Sequence, residues 1–148
     1  MAILEIRNIS SGYGEVQILW GVTLALENSK LTSLVGGNGV GKTTLLRTIM
    51  GSLKPWEGSV WFEGQDVSQI APYDKAEMGL ILVPEGRQLF TDMTVAENLE
   101  MGATPKRARP HIKRNFERIY EMFPRLKERE HQKAGTLSGG EQQMLAVG

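Results

Sequence analysis

Short apolar runs close together give way, along this chain, to longer stretches of helical spacing. Near the start, Ile3-Leu4-Glu5-Ile6 and Val22-Thr23-Leu24-Ala25-Leu26 are β-compatible, and Ser10-Ser11-Gly12-Tyr13-Gly14 reads as the turn between them. Leu31-Thr32-Ser33-Leu34-Val35 is mostly apolar and ends at Gly36-Gly37, which predicts a buried strand entering a loop. Leu45, Leu46, Ile49 and Met50 mark one face of a helix from about Lys42 to Met50, and Gly51 sits where a helix stops. Gly58-Ser59-Val60-Trp61-Phe62 predicts another strand, and Pro72 fits the first turn of a short helix. Leu80-Ile81-Leu82-Val83 predicts a second buried strand, closed by Pro84.

Beyond Pro84 the pattern turns helical. Thr94-Val95-Ala96-Glu97 has the spacing of a capping box, in which the Thr94 hydroxyl accepts from the Glu97 amide and Glu97 reaches back. Ile112, Phe116, Ile119, Tyr120 and Phe123 recur at helical spacing, and Pro124 ends that run. Strands, a strand–loop–helix unit, a further strand and a mainly helical stretch together predict an α/β class with a parallel core.

Composition narrows the class. The chain has 148 residues, of which 41% are hydrophobic and 23% charged, a balance too apolar for general disorder. No cysteine is present, which excludes a disulfide scaffold and a thiolate metal site and fits the cytosol. The longest apolar run, Leu80–Val83, falls far short of the roughly 20 residues of a membrane span, and no basic region precedes an apolar one at the start. Lys and Arg number 17 and Asp and Glu number 17, so the formal charge is zero. Residues 105–133, however, hold 10 basic and 4 acidic side chains. That surplus raises nucleic acid or an anionic membrane surface as partners, but its aromatic residues do not alternate with the basic ones in the pattern of a stacking platform, which favours a solvated helix face.

Gly36-Gly37-Asn38-Gly39-Val40-Gly41-Lys42-Thr43 fits G-x-x-x-x-G-K-[ST] at every position. A triphosphate needs several donors converging on its oxygens, and a glycine-rich loop offers backbone N–H groups with no Cβ in the way. The following helix begins at the anion, so its unpaired N–H groups and dipole add to the attraction. In that pattern Lys42 reaches the β- and γ-phosphates, and Thr43, followed by Thr44, places a hydroxyl on Mg²⁺. The motif follows a predicted strand and opens a predicted helix, so ATP with Mg²⁺ is the expected ligand.

Leu137-Ser138-Gly139-Gly140-Glu141-Gln142-Gln143 is the other singular stretch. As local structure, Ser138 and Glu141 form a capping box opening a helix with Met144, Leu145 and Val147. Two glycines beside the cap weaken a helix start, and an anion approaching the N-terminus gives them a reason.

The two motifs together resemble the nucleotide-binding subunits of ABC transporters, and the resemblance runs from Met1 to Gly148. It implies an ABC-type P-loop NTPase fold: residues 1–86 a β-subdomain, antiparallel at the N-terminus, plus the phosphate-loop core, 87–137 a helical subdomain, and 137–148 the signature motif with the start of its helix. In that family two subunits pack head to tail, so Lys42 of one chain and Ser138, Gly139 and Gly140 of the other would enclose one ATP. The family's aromatic adenine stacker matches Tyr13. By itself Tyr13 reads as a turn tyrosine, but its place before the phosphate loop favours stacking.

Val83-Pro84-Glu85-Gly86-Arg87 matches the family's Q-loop, with Glu85 where most members have Gln. This form, followed by Leu89-Phe90 and Met93-Thr94-Val95-Ala96-Glu97-Asn98-Leu99, is similar to the second ATP-binding subunit of branched-chain amino acid importers. Glu85 retains the chemistry to ligate Mg²⁺ or hold the attacking water, although alone it is equally a solvated loop carboxylate. The resemblance implies an ATPase with Lys42, Glu85 and Ser138 in catalysis, peripheral on the cytoplasmic face of the membrane and docked to transmembrane permease subunits. Neither nucleic-acid binding nor membrane insertion is expected. Import of urea or short amides, or a soluble non-transport ATPase of the same superfamily, are the alternatives.

In the family, an apolar strand ending in an Asp and a catalytic Glu follows the signature helix, and later comes a His that senses the γ-phosphate. None of these lies within the 148 residues. His111 and His131 precede the signature, do not match that His, and read as exposed. The chain is therefore expected to be the N-terminal part of a longer ATPase, with a sheet edge beside Val35 uncovered, weak nucleotide binding and little hydrolysis on its own.

Overall fold

The computed structural model describes residues 2–148, which fall into two compact units, one ending at Leu82 and the other running from Val83 to Gly148. In the first, β1 (Ala2–Tyr13), β2 (Val16–Glu27), β3 (Glu57–Phe62) and β4 (Gln65–Asp66) form one antiparallel sheet in the order β2-β1-β3-β4. β1 lies in the middle because Leu4 and Ile6 pair with Leu26 and Leu24 on one side and with Phe62 and Val60 on the other. Every second residue there points into the core, as a pleated strand requires.

The alternation breaks at Asn8, whose φ of 52° marks an irregularity in both ladders. Opposite it, a Cβ on Gly58 would lie 2.3 Å from the Asn8 carbonyl oxygen, so only glycine lets β3 approach so closely. α1 (Lys42–Met50) packs Leu45 and Ile49 into the core of Leu4, Ile6, Ile9, Leu19, Val60, Phe62 and Val67. α2 (Pro72–Met78) begins with Pro72 in its first turn, as its missing N–H permits.

Four sequence expectations are corrected here. Ser10, Ser11 and Gly12 belong to β1, and the turn is Gly14-Glu15, with Tyr13 paired to Val16. The serine hydroxyls are tolerated in a buried strand because each has a backbone partner. Ser11 Oγ donates to the Lys54 carbonyl at 3.0 Å, and Ser10 Oγ accepts from the Gly21 N–H at 3.2 Å. Leu31–Val35 and Leu80–Val83 are not strands; Leu31 is 97% exposed, Val35 90% and Ile81 69%. A strand exists only within a ladder, and among the described residues none pairs with either run. Consequently every described ladder is antiparallel, and the expected parallel core is not formed. Leu34, Leu80 and Leu82 instead line an apolar hollow of about 470 Å³ together with Leu4, Leu24, Leu45 and Ile49.

The second unit is helical: α3 (Val95–Gly102), α4 (Ile112–Met122), α5 (Pro124–Glu128) and α6 (Gly139–Val147). Val95, Leu99, Leu126, Ala134, Leu137 and Leu145 form its core, and Phe116, Ile119, Tyr120 and Phe123 of the α4 stripe pack against it. Pro124 both ends α4 and opens α5, where its fixed φ suits a first turn. His111 lies exposed in a short 3₁₀ turn before α4, and the His131 side chain is 90% exposed. Among the described residues no helix is long and apolar enough to cross a membrane.

Candidate functional site

α1 starts differently from α3 and α6. Thr94 and Glu97 close a capping box on α3, and Ser138 and Glu141 close one on α6. α1 has Gly41 at its N-cap, no side-chain cap and no acidic residue in its first turn. The first helical bond runs from the Leu45 N–H to the Gly41 carbonyl at 2.8 Å, which leaves the amides of Lys42, Thr43 and Thr44 without a partner in the helix. Three N–H groups at the positive end of a helix, with no carboxylate competing for them, suit an anion.

Gly41 is required twice over. Its φ is 98°, and a Cβ there would meet Leu19 Cδ2 at 3.0 Å and Ile18 Cγ2 at 3.1 Å. Gly36, Gly37, Asn38, Gly39 and Val40 are exposed, so the loop stands open to solvent. Lys42 closes it into a ring: Nζ donates to the Gly36 carbonyl at 2.7 Å and to the Gly37 carbonyl at 2.6 Å. The positive charge is thereby held against the start of the loop. Thr43 is exposed at the start of α1, whereas Thr44 is buried.

Tyr13 stands against the same helix. Its hydroxyl accepts from Arg47 Nη1 at 3.2 Å while 42% of the residue stays exposed. The Thr44 hydroxyl and then the Arg47 guanidinium hold the Tyr13 hydroxyl below the ordinary tyrosine range. One end of the side chain is tied to α1, and the ring retains open surface. Thr44 thus faces Tyr13, and Arg47 is a residue that the sequence reading missed; the helical register of α1 was its only signal.

Glu85, Ser138, Gly139 and Gly140 lie in the second unit. Glu85 is exposed in a turn of residues 84–88, in which the Arg87 N–H donates to the Pro84 carbonyl at 3.2 Å. Ser138 Oγ accepts from the Glu141 N–H at 3.4 Å, and Glu141 Oε2 accepts from the Ser138 N–H at 2.9 Å. The Ser138 N–H and then the Ser138 hydroxyl hold the Glu141 carboxyl below its usual range, helped by Arg129, whose Nε lies 3.0 Å from Oε1. Gly139 and Gly140 are exposed beside it. Arg87 and Gln142, also missed, meet at this helix start, with Arg87 Nη1 donating to Gln142 Oε1 at 2.6 Å. They are 55 residues apart, so no local pattern announces the pair.

A family model described as ABC transporter matches residues 19–148. A high-affinity branched-chain amino acid transport ATP-binding protein of Pseudomonas aeruginosa, BraG, is 40% identical over 148 residues, covering 99% of this chain and 62% of that protein. A probable branched-chain amino acid transport ATP-binding protein of Archaeoglobus fulgidus, LivF, is 34% identical over 145 residues, covering 98% and 61%. The chain thus spans about three fifths of the length of these relatives. Other relatives are named for import of sulfate or thiosulfate, ribose, and spermidine or putrescine. The crystal structure of the ADP conformation of an ATP-binding cassette of an ABC transporter superposes with a TM-score of 0.81 at 31% identity, covering 99% of this chain and 63% of that one.

Proposed function

The chain belongs to the ABC transporter family of ATP-binding domains, and from that premise we propose that its protein binds and hydrolyses ATP to drive import of branched-chain amino acids. The observation that carries the reading is the start of α1, where an uncapped helix, an open glycine loop and the Lys42 ammonium converge. The fit to a triphosphate rests on this donor set. Free amides and an ammonium are complementary to phosphate oxygens, and no carboxylate of the first turn opposes them. Gly36 to Thr44 would hold the phosphates, and the exposed ring of Tyr13 would stack on the base.

Thr43 and Glu85 are the residues that would hold Mg²⁺, the hydroxyl and carboxylate being hard oxygen ligands of the kind this ion takes. Bound there, the ion would offset charge on the β- and γ-phosphate oxygens. Glu85 would also orient the attacking water, and Lys42 would hold the γ-phosphate against it. The Ser138 hydroxyl and the amides of Gly139 and Gly140 would complete the site of a second subunit packed head to tail. Closure on ATP and reopening after hydrolysis would then be passed by the helical unit to permease partners at the cytoplasmic face of the membrane. The names of the relatives support branched-chain amino acids as the cargo.

The test uses the full-length protein. Lys42→Ala removes the charge without touching the fold's core, and ATP affinity is expected to fall by roughly 10- to 100-fold with turnover abolished. An ATP titration that returns the parental affinity would contradict the assignment.

A further inference from the structure

A guanidinium at the start of a helix is electrostatically out of place, since the first-turn N–H groups already carry positive charge. Arg87 nevertheless lies against the first turn of α6. A Cβ on Gly139 would be 3.6 Å from Arg87 Nη2 and 3.8 Å from Nη1, an ordinary packing distance, so the guanidinium lies directly over this residue. Gln142, half-buried one turn further on, holds it there. Its Oε1 accepts from Arg87 Nη1 at 2.6 Å, and its Nε2 donates to the Ala134 carbonyl at 3.2 Å. The two ends of the amide thus have one acceptor role and one donor role, which fixes its orientation and aims the oxygen at Arg87.

The other end of the tether is a turn closed by the Arg87 N–H on the Pro84 carbonyl at 3.2 Å and the Gln88 N–H on the Gly86 carbonyl at 2.7 Å, but in a strained conformation. Gly86, Arg87 and Gln88 have φ of 81°, 67° and 50°, and side-chain-bearing residues keep such angles only where their surroundings impose them. A charge-assisted bond from Arg87 to a helix is such a constraint.

We propose that Arg87 is a positioning residue, whose bond to Gln142 ties the turn bearing Glu85 to the helix bearing Ser138 so that the two move as one body. The proposal rests on the roles given above to Glu85 and Ser138. It adds that nucleotide chemistry at the turn and engagement of the signature helix are mechanically linked within one chain. A displacement of α6 pulls on the Glu85 turn through a single hydrogen bond.

The test measures steady-state ATP hydrolysis by the full-length protein assembled with its partner subunits. Arg87→Met and Gln142→Met each remove the bond while retaining an apolar stem. Each is expected to lower kcat about tenfold and to leave KM for ATP within about twofold, because the phosphate-loop contacts are untouched. The double variant is expected to be no worse than either single one, since both remove the same bond. Gln142→Met leaves the residues of the strained turn in place, so it keeps the test standing should Arg87→Met fail to fold. Parental kcat in either folded variant, or losses that multiply in the double one, would overturn the tether. Lys42→Ala and Ser138→Arg, run alongside, separate the two levels. Their inactivity with full activity in Arg87→Met and Gln142→Met would overturn the tether alone, whereas their full activity would overturn the reading beneath it.

Discussion

Lys75 shows how far a single residue's environment departs from what its letter suggests. A lysine in Pro-Tyr-Asp-Lys-Ala-Glu-Met reads as a solvated helix position, yet its side chain is fully buried and Nζ donates to the Ile49 carbonyl at 2.6 Å. The charge sits at the C-terminal end of α1, where the helix dipole favours it, opposite the end that carries Lys42. Burial pulls its pKa down to about 8, against a smaller opposing pull from Asp66. The unfolded chain keeps a lysine pKa of about 10.4, so between these values it binds more protons than the folded one, and stability rises with pH. By about pH 9.5 the gain over neutral pH is about 2 kcal/mol. Urea titrations of this chain and of Lys75→Met at the two pH values check it. The parent is expected to gain that amount relative to the variant, and parallel profiles would refute the assignment.

The elements divide into those with local causes and those without. The capping box of α3 is local: Thr94 and Glu97 are three residues apart, and both bonds form. Thr94→Ala is expected to cost about 1 kcal/mol, read from the urea midpoint, with ATP affinity unchanged because Thr94 is no part of the phosphate site. The α1 helix, its Gly51 stop, the Pro72 start and the α4 stripe were legible for the same reason. Each depends on residues within about two turns of one another. What escaped the sequence depends on distant partners. Ser11 is buried in a strand because the Lys54 carbonyl, 43 residues away, accepts its hydrogen bond. Leu31–Val35 has the composition of a buried strand, but composition cannot supply the neighbour that a ladder needs. At the candidate site the glycine loop and signature were plain as motifs. The Arg47 bond to Tyr13 and the Arg87 bond to Gln142 span 34 and 55 residues and were not.

On the scale of the whole molecule, the two motifs belong to separate units, and the proposed head-to-tail assembly gives them a common ligand. Ser138→Arg in the full-length protein should leave ATP binding to the monomer within about twofold while abolishing ATP-dependent dimers in sedimentation, because the added side chain fills the approach to Gly139 and Gly140. Dimers of normal affinity would remove Ser138 from the shared site. The most direct measurement is a crystal structure of the full-length protein with Mg²⁺ and a non-hydrolysable ATP analogue. The account predicts phosphate oxygens within hydrogen-bond reach of the amides at the start of α1 and of Lys42 Nζ. Phosphates bound anywhere else on the molecule would contradict it.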